Sequence, residues 1–382
     1  MGLTIVIILV VVVLVLINSY ATTGFMVLNN EKTIKIGFVG ALTTDYASYG
    51  INEKNAIELA LSEINSNGGI LGKQVEVIYE DGRCNGKEAV SAVNKLINVD
   101  GVKIVLGGSC SGETLAMAPI VEENKVLLFS AFSSNSDITN AGDYVFRNCP
   151  TDFDGATQIA KLIIDKNNKK IALISENTDF AQGVRKIFSK TVKELGGEIV
   201  ADEIYGQNGR DFKTQLTKIK QASPEVIFFN AQTDVSGGLA VKQAKELGIN
   251  AQYFGYFVFS SKNALGNAGE AANGMIFADV PSLSTGEKAK TFLEKYFKHY
   301  GSSVSEFGAG ARYDSVYILK EAIESCGKVD VDCIKEYLYS LESYSGTIGE
   351  YNFDAQGDVV GIEWALKKVI DAKNGKVIIV VK

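Results

Sequence analysis

The strongest constraint on the fold is a regular alternation of short apolar runs with amphipathic stretches, which starts at residue 33. Ile34 to Leu42 has the pattern of a strand. Asn52 to Asn65 then has apolar residues on one helical face and stops at Gly68-Gly69. This alternation is typical of mostly parallel sheets that are flanked by helices on both faces. The sequence therefore predicts an α/β protein.

A second series of the same kind begins after Pro150, and a chain of 382 residues exceeds what one core usually covers. We therefore predict two lobes with no Pro-rich linker between them, joined by a hinge that the chain crosses several times. The predicted division is an N-terminal segment (1–30), lobe I (31–149 plus 281–356) and lobe II (150–280 plus 357–382).

The N-terminus carries an apolar targeting segment. Ile5 to Ile17 consists of Ile, Val and Leu alone, which suits the core of a signal peptide, and Ser19-Tyr20-Ala21 offers a cleavage site. No Lys or Arg precedes the run, and Phe25 to Leu28 could extend it into an uncleaved membrane anchor. Both alternatives stay open, and both place the rest of the chain outside the cytoplasm. The second alternative would leave it tethered to the membrane.

Composition argues against two function classes. The chain has 45 acidic and 38 basic residues and a pI of about 5.1, so its surface would repel nucleic acid. Its single histidine, His299, leaves little room for a zinc site or a Ser-His pair. We expect no enzyme activity, no metal and no cofactor.

Five cysteines lie in a compartment where disulfides form. Cys84 and Cys110 flank one strand-helix-strand unit, and a bridge between them would stabilise the fold by about 3 kcal/mol. Cys326 and Cys333 could form a second bridge or stay as small buried residues, and Cys149 is left over.

Ligands of open α/β sheets bind beyond the carboxyl ends of the strands, near helix N-termini. The loops at such ends are rich in Ser, Thr, Tyr and Phe and nearly free of Lys and Arg, which suits a small zwitterionic or partly apolar ligand. The loops are Thr43 to Gly50, Gly107 to Gly112, Ala131 to Ser136, Glu176 to Phe180, Asn230 to Val235 and Tyr256 to Ser261.

Several stretches in a fixed order then resemble one family from about residue 33 to the end. They are Ile36 to Leu42, Glu63 to Asn65 with Gly68 to Gly72, Tyr79 through Cys84 to Lys95, Cys110-Ser111, Asp211-Phe212 before Pro224 to Val226, and Phe353-Asp354 with Gly357. The chain resembles the leucine/isoleucine/valine-binding proteins, which have the type I periplasmic-binding-protein fold. The resemblance implies an extracytoplasmic binding protein of an ABC importer. Such a protein captures a branched-chain or related small amino acid between closing lobes and delivers it to the membrane permease.

The resemblance also implies binding residues. Ser111, expected at the N-cap of its helix, matches the serine that contacts the ligand's α-carboxylate; the alternative is an ordinary cap. Phe132 would contribute its backbone and Ser134 a hydroxyl. Tyr49 and Phe180 match the aromatic residues that wall the family's pocket, although packing in the core or at the rim would equally suit large aromatics.

The sequence departs from the family where the ligand ammonium is bound. The family's glutamate has no counterpart within Gly255 to Phe257, and a buried ammonium without a partner would cost several kcal/mol. Asp152 is our replacement, because Arg147 to Asp152 resembles a segment of metabotropic glutamate receptors in which an Asp binds the amine; its alternative role is a helix N-cap. Gln232 stands where the family often has an aromatic and adds a hydrogen-bonding group. Two other functions therefore stay open: a ligand-sensing receptor domain, and a binder of a ligand without an amine, such as an amide or carboxylate.

Overall fold

The computed structural model describes residues 33–283, 286–301 and 306–379, and it confirms the predicted α/β class. Within these ranges, no helix is both long enough and apolar enough to cross a membrane. The predicted targeting segment, Ile5 to Ile17, lies outside the described residues.

Lobe I is built on a five-stranded parallel sheet in the order β2-β1-β3-β4-β5. Because the strands are parallel, their carboxyl ends lie along one edge, where the predicted binding loops begin. The strands are β1 (Thr33–Gly40), β2 (Gln74–Asp81), β3 (Ile104–Gly107), β4 (Leu127–Ser130) and β5 (Val145–Arg147), and the helices between them are α1 (Ala47–Ser66), α2 (Gly86–Asn98) and α3 (Ser111–Asn124).

The second series of elements repeats this architecture, as the sequence predicted. Parallel strands β6, β7, β8, β9 and β10 form most of the lobe II sheet. Their ranges, with those of the intervening helices, are α4 (Asp152–Asp165), β6 (Lys170–Glu176), α5 (Asp179–Glu194), β7 (Glu198–Tyr205), α6 (Lys213–Gln221), β8 (Val226–Asn230), α7 (Asp234–Glu246), β9 (Gln252–Gly255), α8 (Lys262–Ala268) and β10 (Ile276–Asp279).

The C-terminal part of the chain returns to both sheets. Its elements are α9 (Glu287–Tyr300), α10 (Glu306–Cys326), α11 (Val331–Tyr339), β11 (Tyr344–Ser345), β12 (Glu350–Phe353), β13 (Val359–Val360), β14 (Ala365–Asp371) and β15 (Lys376–Ile379). Helices α9 and α10 pack on α1, whereas β14 and β15 extend the lobe II sheet with antiparallel pairing. The chain thus passes between the sheets after β5, after β10 and after β13. The exact lobe boundaries stay a prediction.

The apolar pattern missed the shortest elements. Strand β5 has three residues and helix α8 has seven, which is too short for either periodicity to develop. Helix α1 begins at Ala47, five residues before the predicted start. The apolar pattern missed this first part of the helix because it lacks the apolar face of the rest.

A buried ion pair joins α10 to α1 inside lobe I. Arg312 is 0% exposed and Glu53 is 1% exposed, and the Arg312 Nε donates to the Glu53 Oε2 over 2.8 Å. The Arg312 Nη1 also donates to the carbonyl oxygen of Phe129 over 2.8 Å. One guanidinium therefore ties two helices to the end of β4, just before the loop Ala131 to Ser136.

We predict that Arg312→Met lowers the free energy of unfolding by about 3–5 kcal/mol, because the buried Glu53 carboxylate loses its partner. The double variant Arg312→Met/Glu53→Met should recover most of this loss. Urea unfolding of both variants measures the difference. A double variant that is less stable than the single one would contradict the prediction.

Candidate functional site

The predicted binding loops of both lobes meet around a small pocket. Every predicted ligand-binding residue except Asp152 lies in its lining, and the roles of these residues toward a ligand stay predictions. The lining from lobe I is Tyr49, Ser109, Cys110, Ser111, Phe132 and Ser134, and from lobe II it is Phe180, Gln232 and Phe257.

Ser111 is the first residue of α3, and the predicted N-cap role is wrong by one position. Cys110 is the N-cap, with an extended backbone, and its N–H donates to the Glu113 side chain over 2.9 Å. The Ser111 Oγ accepts from the Asn135 N–H over 3.2 Å, so its own proton can still be donated. A buried hydroxyl at the positive end of a helix dipole suits an anionic group.

The loop Ala131 to Ser136 is held by the buried Arg147 side chain. The Arg147 Nη1 donates to the carbonyl oxygen of Asn135 over 2.8 Å, and its Nε donates to the Asp358 Oδ1 over 2.6 Å. The Phe132 N–H makes only a long contact, 3.4 Å, with the Ser130 hydroxyl. The loop whose Phe132 backbone was predicted to contact a ligand is thus held in place by the Arg147 guanidinium.

The structure contains the Cys84–Cys110 disulfide that the sequence predicted, with a Cα–Cα distance of 5.3 Å. It forms part of the pocket, since Cys110 lines it and the Gln232 Nε2 of lobe II lies 3.4 Å from the Cys84 Sγ. Cys326 is bonded to Cys333, which resolves the alternative that the sequence left open, and Cys149 is a buried free thiol.

Four aromatic rings form one wall of the pocket, which we call the aromatic cluster: Tyr49, Phe132, Phe180 and Phe257. Ring centroids lie 5.2 Å apart for Tyr49 and Phe132, 5.6 Å for Phe132 and Phe257, and 5.2 Å for Phe180 and Phe257. Phe257 lies in the loop after β9, where the resemblance described above implied a glutamate. This wall suits an apolar group.

The sequence pointed to the right loops but missed individual residues in them. Ser109 lines the pocket, and its buried Oγ has no hydrogen-bond partner among the described residues. Ser109 stands in the predicted binding loop Gly107 to Gly112. The sequence of a glycine-rich turn does not indicate whether a serine side chain in it faces the pocket. Phe257 was considered only as part of the segment that lacks a glutamate, and was not predicted as a binding residue.

Asp152 lies close to the pocket without lining it. Its backbone N–H donates to the carbonyl oxygen of Ser134 over 2.8 Å. Its predicted alternative role as an N-cap is wrong, because Thr151 caps α4 by accepting from the Phe153 N–H. The Asp152 side chain is 0% exposed, and neither carboxylate oxygen makes a hydrogen bond within the described part of the chain.

Burial raises the pKa of Asp152 to about 7, although the Ser134 hydroxyl, the Arg147 guanidinium and the Tyr256 hydroxyl act in the opposite direction. An ionised carboxylate in this position is unfavourable, because the nearby Ser134 and Tyr256 hydroxyls and the Arg147 guanidinium do not compensate for its removal from water. Asp152 is therefore a group that a buried cation would stabilise.

We predict that Asp152→Asn stabilises the ligand-free protein at pH 8 and not at pH 4. The folded-state pKa lies above that of the unfolded chain, so wild-type stability falls as pH rises toward 7, whereas Asn stays neutral. The gain at pH 8 is on the order of 1–4 kcal/mol, at about 1.4 kcal/mol per pKa unit. Thermal unfolding at both pH values measures it. Asp165→Asn, at the exposed end of α4, is the control; the same shift at pH 4 and pH 8 for Asp152→Asn would contradict the prediction.

Comparison with known proteins places this architecture in one family. A family model described as periplasmic binding protein matches residues 33–373. The chain is 27% identical over 336 residues, 87% of this chain and 89% of the relative, to the leucine-, isoleucine-, valine-, threonine- and alanine-binding protein of Pseudomonas aeruginosa.

Solved structures show the same similarity. The leucine-binding protein LivK of Thermotoga maritima superposes with a TM-score of 0.82 at 26% identity, covering 91% of this chain and 98% of that chain. The branched-chain amino acid substrate-binding protein LivJ of Streptococcus pneumoniae, in complex with isoleucine, superposes with a TM-score of 0.79 at 30% identity, covering 91% and 99%. The chain belongs to the periplasmic binding protein family and has its two-lobed type I fold.

Proposed function

We propose that this protein is the extracytoplasmic solute-binding protein of an ABC importer, and that it captures a branched-chain or related small amino acid. The observation that carries the proposal is a pocket lined from both lobes, with serine hydroxyls at a helix N-terminus on one side and the aromatic cluster on the other. The relatives' names support it, since they describe proteins that bind such amino acids.

The serine side of the pocket would hold the ligand's carboxylate. Ser111 and Ser134 were predicted for this role, and Ser109 adds a buried hydroxyl whose oxygen has no partner in the described residues. Hydrogen bonds to a charged group are worth about 1.5–3 kcal/mol each, and the N-terminus of α3 adds a favourable dipole.

Asp152 would hold the ammonium. It is linked through its backbone to Ser134, which lines the pocket, and neither of its carboxylate oxygens is held by a well-aligned donor among the described residues. Rotation of its side chain toward the pocket would pair it with the ligand's cation. This pairing would compensate the cost of keeping a carboxylate buried, and the aromatic cluster would take the apolar side chain.

Binding would proceed by closure of the lobes. Lobe I would hold the carboxylate first, and lobe II would then add Phe180, Gln232 and Phe257. Closure excludes water and so strengthens each charged hydrogen bond, and only the closed form would present both lobes to the permease. The protein would catalyse nothing: His299, its only histidine, is exposed on α9. The N-terminal segment would serve as a signal peptide or a membrane tether.

A second candidate is a ligand without an amine, such as a carboxylate or an amide. The presence of Phe257 in the loop where the resemblance implied a glutamate favours it, since a phenyl ring is a weak partner for an ammonium in place of a carboxylate. In that case Asp152 would stay neutral, as its raised pKa allows.

Paired calorimetry distinguishes the two candidates. The fragment from Glu31 is titrated with leucine, isoleucine, valine, alanine, glutamine and glutamate, and with the deaminated acids and amides of each. We expect micromolar or tighter binding of one or more amino acids and none of the amine-free analogues. Equal binding of amine-free analogues would favour the second candidate, and no binding by any amino acid would contradict the proposed function.

We predict that Ser111→Ala weakens amino acid binding roughly tenfold or more, because a hydrogen bond to the ligand carboxylate is lost. Ser91→Ala, which removes an exposed helix hydroxyl on α2, is the matched control and should bind as wild type. Calorimetry measures both. Unchanged affinity of Ser111→Ala would remove Ser111 from the site.

A further inference from the structure

Glu176, the last residue of β6, is a buried carboxylate that gathers donors from its own lobe. It is 0% exposed, and it accepts from the backbone N–H of Gln232 over 2.9 Å and of Thr233 over 3.1 Å. The Ser236 hydroxyl donates over 3.0 Å and the Asn208 N–H over 3.3 Å. Glu176 therefore fixes the loop that carries Gln232 into the pocket.

One more donor comes from the opposite lobe. The Tyr46 hydroxyl, just before α1, donates to the Glu176 Oε1 over 2.9 Å, and Tyr46 is 2% exposed. Neither residue lines the pocket. We propose that the Tyr46–Glu176 hydrogen bond is a closure latch, which stabilises the closed lobes and retains the ligand without touching it. The proposal rests on the proposed function, in which the lobes close over a ligand.

The arrangement suits a bond that forms and breaks. When the lobes separate, Glu176 keeps its donors from lobe II and Tyr46 exchanges its acceptor for water, so neither group is left buried without a partner. In the closed form the same bond lies in a buried, low-dielectric place and involves a carboxylate acceptor, which makes it stronger than a bond between neutral groups. The Tyr46–Glu176 hydrogen bond therefore stabilises the closed state and not the open state.

The latch is coupled to the pocket through a shared loop. The Gln232 N–H binds Glu176, and the Gln232 carbonyl oxygen accepts from the Tyr49 hydroxyl over 3.0 Å. Tyr49 and Gln232 both line the pocket. Formation of the latch thus sets the position of two lining residues at the same time.

Other contacts between the lobes are weaker candidates for this role. Arg210 and Asp45 form an ion pair at 2.6 Å, but their side chains are 49% and 39% exposed, so solvent screens it. The Asn135 Nδ2 donates to the carbonyl oxygen of Asp179 over 2.7 Å, which is a bond between neutral groups. Among these contacts, the latch alone combines burial with a charged acceptor.

Tyr46→Phe tests the latch, because it removes the hydroxyl and keeps the ring. The expected result is a ligand off-rate raised roughly tenfold or more, with an on-rate within about twofold of wild type, since the ligand enters the open form. The control is Tyr205→Phe: Tyr205 is also buried, and its hydroxyl bonds to Ser236 inside lobe II over 3.3 Å. Stopped-flow binding of an amino acid that binds the wild type measures both rates.

Small-angle scattering of the ligand-free proteins supplies a readout that does not need a ligand. We expect a larger radius of gyration for Tyr46→Phe than for wild type and Tyr205→Phe, because the open form gains population. If no amino acid binds the wild type, the proposed function fails and scattering alone decides on the latch. Off-rates of Tyr46→Phe and Tyr205→Phe that agree within twofold would overturn the latch; if no ligand binds, equal radii would overturn it.

Discussion

Buried acidic and basic side chains hold the pocket loops in place, and the arrangement of the site depends on them. Arg147 binds the carbonyl groups of the loop Ala131 to Ser136, Glu176 binds the amides of the loop after β8, and Glu113 binds the amides of both cysteines of the Cys84–Cys110 disulfide. A buried polar or ionisable group is tolerated only where polar partners surround it. Each loop must therefore keep the conformation that supplies those groups, and the pocket takes its shape from that requirement.

The position of the pocket also depends on the two sheets, one parallel and one mostly parallel. Their strands end at the same cleft, so the short polar loops of both lobes face one another across it. Close approach also needs space: a Cβ atom at Gly112, the second residue of α3, would lie 2.3 Å from a carboxylate oxygen of Asp179 on α5. The N-termini of α3 and α5 therefore lie close together, and a side chain at position 112 would require the Asp179 carboxylate to move.

The sequence predicted the fold well because the fold follows from periodicity. Alternating strand and helix patterns identified the two series, and the rule for carboxyl ends selected every loop that lines the pocket. Side-chain direction was harder to infer. Ser109 and Phe257 stand in selected loops, but whether a loop side chain faces the pocket depends on backbone turns that composition does not specify. Cys110 was predicted as half of a disulfide and not as a helix cap.

Contacts between residues far apart in the sequence could not be predicted from the sequence pattern. Tyr46 and Glu176 are separated by 130 positions, and each has an ordinary local role as a loop residue and a strand end. Only the docking of the lobes brings them together. The same holds for Asp152, whose carboxylate is unusual because of what surrounds it: its sequence context fits a helix start, whereas its burial and raised pKa come from residues of several elements.

The central proposal is that a buried carboxylate, Asp152, binds the ligand amine in place of the glutamate that the resemblance implied. A crystal structure of the fragment from Glu31 with its preferred amino acid tests this most directly. We predict a ligand nitrogen at about 2.7–3.0 Å from an Asp152 carboxylate oxygen, as in a charge-assisted hydrogen bond, with the ligand carboxylate at Ser111. A ligand nitrogen that binds elsewhere, with the Asp152 side chain still without a hydrogen bond, would contradict the claim.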